Sequence, residues 1–164
     1  MVENEGVNTK LREAMPADEP FLLEVYASTR SEELESADWD ETQKRTFIKM
    51  QFLARERSYP RVDNRIILLQ GRAIGRLLVE RTETAIWLRD IALLTEYRNA
   101  GIGSRLIKDL MHEAAVRGHP LLLHVLYTSR AVRLYERLGF STTGSDAAYL
   151  EMTWLSPNTT AVEK

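Results

Sequence analysis

The spacing of apolar residues changes along the chain, and each change marks an element. Positions 7–15 can hold a short first strand. Pro16-Ala17-Asp18-Glu19 then reads as a helix start, with proline in the first turn and acids at the positive end of the helix dipole. Leu22, Val25 and Tyr26 give that helix its buried stripe. A second helix is expected from near Asp38, with Asp38 and Glu41 spaced as a capping box, to about Arg57, with Phe47, Met50 and Ala54 on one face. Apolar runs at 66–70, 73–79 and 85–93, separated by short turns, predict an antiparallel meander of three strands. Leu106, Ile107, Leu110, Met111 and Ala114 return to helical spacing over 101–117, and Gly118 closes that helix. The run 121–126 is nearly all apolar and predicts a central strand covered on both faces. Thr128 or Ser129 can cap a helix over 130–138 that ends at Gly139, and a hairpin of 140–143 with 148–154 follows. The expected order is β-α-α-β-β-β-α-β-α-β-β, an α/β (α+β) chain with a mixed sheet.

Composition narrows what such a chain can be. Its 164 residues suit one domain, taken as 1–155, with a patternless tail over 156–164. A hydrophobic share of 44% and a charged share of 28% are ordinary for a globular protein. A net charge of -2 gives no bias toward nucleic acid or anionic membranes, and neither is expected as a partner. The absence of cysteine excludes disulfides, thiolate metal sites and a cysteine nucleophile, and no metal is expected. No apolar run reaches the length of a membrane span, and the acidic N-terminus lacks a signal-peptide core. The expected location is cytoplasmic.

The chemistry gathers where the third meander strand gives way to a helix. Arg98-Asn99-Ala100-Gly101-Ile102-Gly103-Ser104 joins them. A helix start presents N–H groups without intrahelical partners at the positive end of the dipole, and glycine lets a phosphate approach them. A nucleotide P-loop would need Lys-Ser/Thr after its second glycine, but Ser104-Arg105 follows Gly103. A dinucleotide fingerprint would need a small residue where Leu106 stands. What remains is Arg-x-x-Gly-x-Gly: a pyrophosphate cradle or a glycine-rich connection without a ligand.

This loop resembles the signature of the GNAT superfamily of N-acetyltransferases. The stretch Ala131-Val132-Arg133-Leu134-Tyr135-Glu136-Arg137-Leu138-Gly139-Phe140 resembles that family's second motif, Ala-x-x-Leu-Tyr-x-x-x-Gly-Phe. The resemblance covers about 72–154 well and the first sixty residues loosely. It implies the GNAT acyltransferase fold: a mostly antiparallel sheet with helices on both faces, splayed where the fourth and fifth strands part. It also implies acetyl-CoA as co-substrate, with its pyrophosphate at Arg98, Asn99, Ala100, Gly101, Gly103 and Ser104. The pantetheine arm would pair with the backbone of Ile91 and Leu93, where the Leu93 N–H can polarise the thioester oxygen. Tyr135 would protonate the departing thiolate. Thr128 and Ser129 stand where the family often has an asparagine that contacts CoA, Thr95 replaces a common proline and Asn99 a common glycine. The activity implied is acetyl transfer to a primary amine in a ternary complex. A larger acyl-CoA as donor and a non-catalytic acyl-CoA-binding module are the alternatives. The family's last strands often form homodimers.

The base and the acceptor stay open. Many members place a glutamate where this chain has Trp87 or Arg89, and Asp90 is the only carboxylate on that strand. Alternation puts Asp90 on the face opposite Arg89 and Ile91 unless a bulge shifts the phase. Other candidates are His124, the acids between Glu32 and Glu41, and water. A lone histidine in an apolar strand reads first as a satisfied core residue, and His112 and His119 read as surface residues. Glu32, Glu33, Glu35, Asp38, Asp40 and Glu41 form an acidic run in the region that usually walls the acceptor pocket. The run suits a cationic acceptor or a solvated loop. Lys44, Arg45, Lys49, Arg55 and Arg57 on the next helix suit an acidic substrate instead.

Overall fold

The computed structural model describes residues 8–35, 37–59 and 62–157. Within them the elements are β1 (Thr9–Glu13), α1 (Glu19–Glu35), α2 (Glu41–Ser58), β2 (Asp63–Leu69), β3 (Arg72–Arg81), β4 (Ile86–Leu93), α3 (Ile102–Arg117), β5 (Leu121–Leu126), α4 (Ala131–Leu138), β6 (Ser141–Ser145) and β7 (Tyr149–Trp154). The strands form one seven-stranded sheet in the order β1-β2-β3-β4-β5-β7-β6. Pairing is antiparallel for β1 with β2, β5 with β7 and β6 with β7, and parallel for β4 with β5, because α3 carries the chain back between them. The expected element order and the mixed, mostly antiparallel sheet are therefore present. The residues at 1–7 and 158–164, which include the expected loose start and most of the expected tail, lie outside the described part, as do Pro60 and Arg61 after α2. The chain divides into two compact units, Met1–Leu77 with Ile91–Ala100 and Leu78–Asp90 with Gly101–Lys164.

In the first unit, a 3-10 turn at Pro16–Asp18 leads into α1. Asp18 accepts two bonds from Arg12 at 2.8 Å and one from the Met15 N–H at 2.7 Å. The Arg12 hydrogen bonds, then the Met15 N–H, hold the Asp18 carboxyl down to about 2. A depressed carboxylate stabilises the fold above its unfolded pKa, near 3.9, and that contribution disappears as pH falls through the folded value. Thermal melts should therefore show a loss between about pH 4 and pH 2 that Asp18→Asn abolishes, with the variant already weaker at pH 7.

Leu22, Val25 and Tyr26 are buried as expected. Helix α2 differs from expectation. Asp40, not Asp38, is its N-cap, accepting from the Gln43 N–H at 2.8 Å, and the Gln43 side chain returns a bond to the Asp40 N–H at 3.0 Å. Both pairs fit the spacing of a capping box, and the longer α1 leaves the start of α2 at the second pair. The buried face also differs, since Phe47 and Met50 are exposed and Phe52 is buried. The helix carries two neighbouring apolar stripes. Packing chose the one that sets Phe52 against Tyr26, ring centres 5.8 Å apart, in a core shared with Leu22 and Ile66. Nearby, Arg76 of β3 is buried, paired with Glu56 of α2 and bonded to Asn64.

In the second unit, Leu106, Ile107, Leu110 and Ala114 form the buried stripe of α3, and Gly118 (φ 68°) closes the helix with its N–H on the carbonyls of Ala114 and Ala115. Arg81 of β3 clamps Glu113 of α3 at 2.6 and 2.9 Å. Strand β5 buries Leu121, Leu123 and Val125 but exposes His124, so the expected cover on both faces fails at that residue.

Strand β4 contains an irregularity that the sequence left conditional. At the hairpin end the Thr82 N–H bonds the Ala85 carbonyl at 2.9 Å. Stepping both strands from that pair puts Ile74 opposite Leu93, yet the Ile74 carbonyl takes its bond from the Leu94 N–H, at 2.8 Å. Thus β4 holds one extra residue, a β-bulge. Before it, Ile86 and Leu88 face β5, and the Ile86 N–H bonds Pro120 O at 3.0 Å. At the far end the Leu94 N–H points to β3, and the Leu93 carbonyl points away from it to accept from Arg98. Gly75 of β3 makes room for this path, because a Cβ there would collide with the Ala92 carbonyl and lie 2.9 Å from the Leu93 side chain.

Candidate active site

The loop after β4 begins with a 3-10 turn at Thr95–Tyr97. The Arg98 guanidinium turns back from it. Its Nε donates to Leu93 O at 2.9 Å and an Nη to Ser28 Oγ at 3.2 Å. Arg98 therefore ties the end of β4 to α1, whereas the sequence pattern offers its charge to a phosphate. Asn99 takes φ 61° and Gly101 φ 82°. Asparagine is among the few side chains that accept the left-handed region, which explains how Asn99 fits there. Ala100 is exposed and Ser104 half-buried.

Gly101 is the N-cap of α3 and supplies no side-chain cap. The first helical bond recorded there runs from the Arg105 N–H to Gly101 O, so the preceding N–H groups of the turn are orphan donors. A Cβ on Gly101 or Gly103 would meet nothing within 4 Å. Neither glycine is there to avoid the protein's own atoms, and Gly101 is there also for its positive φ. The turn is an uncapped, unobstructed patch of donors at the positive end of a sixteen-residue helix, suited to an anion.

Tyr135 of α4 is buried, with its ring edge-on to Phe140 at 5.6 Å between centres. Burial, and secondarily the charge of Asp90, push its phenol up to about 12. Asp90 is half-buried at the bulged part of β4, close enough for its field to act on Tyr135. Arg130, not Thr128 or Ser129, is the N-cap of α4 and no side chain caps it; Ser129 Oγ, one residue earlier, accepts from the Ala131 N–H at 3.1 Å, and Thr128 is exposed.

A second group of side chains spans four strands of the second unit. Glu80 takes Arg89 Nε at 2.8 Å, and the Arg89 guanidinium lies 4.4 Å from the centre of the Trp87 ring. Trp87 in turn lies 5.3 Å from the His124 ring, and His124 Nε2 is 3.6 Å from Glu151 Oε2. His124 is thus no core histidine, and His119 is half-buried where a surface position was expected. Glu80 and Glu151 carry no signal in the sequence. Only the register that sets His124 opposite Glu151 reveals the grouping. In the first unit, exposed Trp39, Phe47 and Met50 line a groove of about 450 Å³ with Thr42, Gln43 and Thr46. Among the described acids near it, Asp40 and Glu41 serve the start of α2. Among the described residues no group of three or more His, Asp or Glu could hold a metal, and no helix is long and apolar enough to cross a membrane.

The mixed sheet thus leads through a glycine loop into a helix with no side-chain cap. Residues 61–142 match the family model described as the acetyltransferase (GNAT) domain, and the chain belongs to that family. The PaiA N-acetyltransferase of Thermoplasma acidophilum, solved with coenzyme A, is similar over 91% of this chain and 99% of its own, at TM-score 0.70 and 17% identity. An acetyltransferase from Thermus thermophilus is similar over 91% and 97%, at 0.67 and 15%. YncA from Salmonella typhimurium, solved with its cofactor acetyl-CoA, is similar over 90% and 94%, at 0.56 and 17%. At these identities the likeness speaks for the fold. No curated protein matches the sequence.

Proposed function

We propose that this chain transfers the acetyl group of acetyl-CoA to a primary amine by direct attack in a ternary complex. The observation that carries the proposal is the uncapped first turn of α3, with open space over Gly101 and Gly103, in a chain of the GNAT family. In this reading the pyrophosphate rests on the N–H groups from Gly101 to Ser104, with Asn99 and Ala100 shaping the approach and Thr128 and Ser129 beside α4. The pantetheine arm lies along the edge of β4 at Ile91 and Leu93. The Leu93 carbonyl already accepts from Arg98, so the Leu93 N–H is the group left to polarise the thioester oxygen. Similar proteins solved with coenzyme A and acetyl-CoA support the choice of co-substrate.

The amine nitrogen attacks the acetyl carbon, a C–N bond forms, the C–S bond breaks, and the thiolate leaves. This reading assigns Tyr135 to the leaving sulfur. With its pKa near 12, full transfer of its proton to a thiolate of ordinary pKa near 8.5 would be uphill by about 5 kcal/mol. Tyr135 therefore works as a hydrogen-bond donor to the forming thiolate, kept protonated by its burial and, secondarily, by the charge of Asp90. The proton that stays on sulfur comes from the nitrogen that has just been acylated. Calorimetric titration with acetyl-CoA tests the binding, and thiol release with a set of amines tests the transfer. Tyr135→Phe should lower kcat by about 10- to 100-fold and leave the acetyl-CoA Kd unchanged. Binding without thiol release from any amine would make the chain an acyl-CoA-binding module instead.

A further inference from the structure

Glu80 and Arg81 are neighbours on β3, so their side chains point to opposite faces of the sheet. Arg81 is held by Glu113 of α3. Glu80, with Arg89, Trp87, His124 and Glu151, therefore lies on the face away from α3. Along β5 the alternate residues Leu121, Leu123 and Val125 are buried, whereas the His124 side chain is 48% exposed on the other face. An exposed imidazole between Leu123 and Val125 contributes little to packing. It is nevertheless positioned on both sides, by the Trp87 ring at 5.3 Å and the Glu151 carboxylate at 3.6 Å. Glu151 is itself oriented by a 3.0 Å bond from Thr143 Oγ1. Other charges bear on the ring: Asp146, in the turn between β6 and β7, interacts with His124, and Arg89 reaches Trp87 with its own charge met by Glu80. His124 is also the first residue of β5 beyond Leu123, the last one registered with β4.

We infer that His124, oriented by Glu151, is the base that takes the proton from the acceptor's ammonium group, and that the acceptor arrives over Trp87 on the face away from α3. The inference rests on the transferase reading above. It also accounts for a strand that carries Trp87 and Arg89 and no carboxylate on this face. The neutral imidazole removes one proton from R–NH3⁺, leaving R–NH2 and an imidazolium that faces Glu151. The amine bonds to the acetyl carbon as the C–S bond breaks, its second proton goes to the thiolate, and the imidazolium returns its proton to solvent.

The test is thiol release from acetyl-CoA with benzylamine, putrescine and glycinamide, followed as kcat/KM from about pH 5 to pH 9, the span over which an imidazole changes charge. The expected wild-type profile falls on the acid side, where a base that must accept a proton is already protonated. His124→Gln should lose about 100-fold and lose that limb, with acetyl-CoA affinity and melting temperature unchanged. Glu151→Gln should lower kcat and leave the acetyl-CoA Kd unchanged, because the carboxylate that orients the ring is gone. Free imidazole should restore part of the rate to His124→Ala, which a packing role would not allow. A wild-type profile and rate in His124→Gln overturn the inference while leaving the transferase intact. So does an acid limb that vanishes in Asp90→Asn instead. Acetyl-CoA binding without thiol release from any of the three amines overturns the transferase reading and this inference together.

Discussion

Gly103→Glu should abolish acetyl-CoA binding without cost to the fold. The new Cβ meets nothing within 4 Å, and the first turn of α3 carries no acid of its own. A carboxylate there interacts favourably with the helix dipole by about 0.3–1 kcal/mol, and replacing glycine inside a helix gains about as much again. The melting temperature should hold or rise slightly. The same carboxylate would occupy the N–H groups assigned to the pyrophosphate and repel its charge. One unit of like charge at about 4 Å and an effective dielectric of about 20 is worth about 4 kcal/mol, or roughly a thousandfold in Kd. Calorimetry and a thermal melt on the same preparation check both halves. Unchanged affinity would reduce the glycine loop to a connection.

Gly75→Ala should do the reverse and damage the fold first. The added methyl would strike the Ala92 carbonyl and crowd Leu93, whose Cα lies 3.1 Å from the new atom. Both obstacles belong to the bulged part of β4, and backbone cannot swing aside as a flexible side chain can. The expected cost is about 3 kcal/mol, at the upper end of overpacking penalties. For a chain of this length that is about 10 °C in Tm. Acetyl-CoA affinity should fall with it, because relief of the clash means straightening the bulge. Straightening shifts the pairing of Leu93 and Leu94 with β3 by one residue and turns the Leu93 backbone groups toward it. An unchanged Tm would show that the strand yields cheaply and that the bulge is soft.

The local grammar of the chain was readable because it depends on near neighbours. Proline and acids at 16–19, the α3 stripe, and Gly118 and Gly139 as helix stops are all short-range effects, and each element falls within a few residues of its expected place. The glycine loop could be picked out by its letters for the same reason, since a positive φ and an uncapped helix start are local properties.

Choices between equally good local options could not be read. Helix α2 has two apolar stripes and two possible capping boxes, and contact with Tyr26 selected Phe52 and, with it, the exposure of Phe47 and Met50. Arg98 reaches Leu93 O and Ser28 with its guanidinium, contacts that its place in the glycine loop does not announce. His124 has the letters of a core residue, because a strand's sequence does not say which of its faces another element covers. The bulge in β4 exists only as a mismatch between two hydrogen bonds at opposite ends of a hairpin. The sequence determined the elements, their order, the family and the glycine loop, all set by interactions within a turn or two of chain. The tertiary structure alone decided which face of α2 is buried, which charges are committed, and which histidine stands exposed beside a carboxylate. Those outcomes depend on residues far apart in the chain meeting in one register.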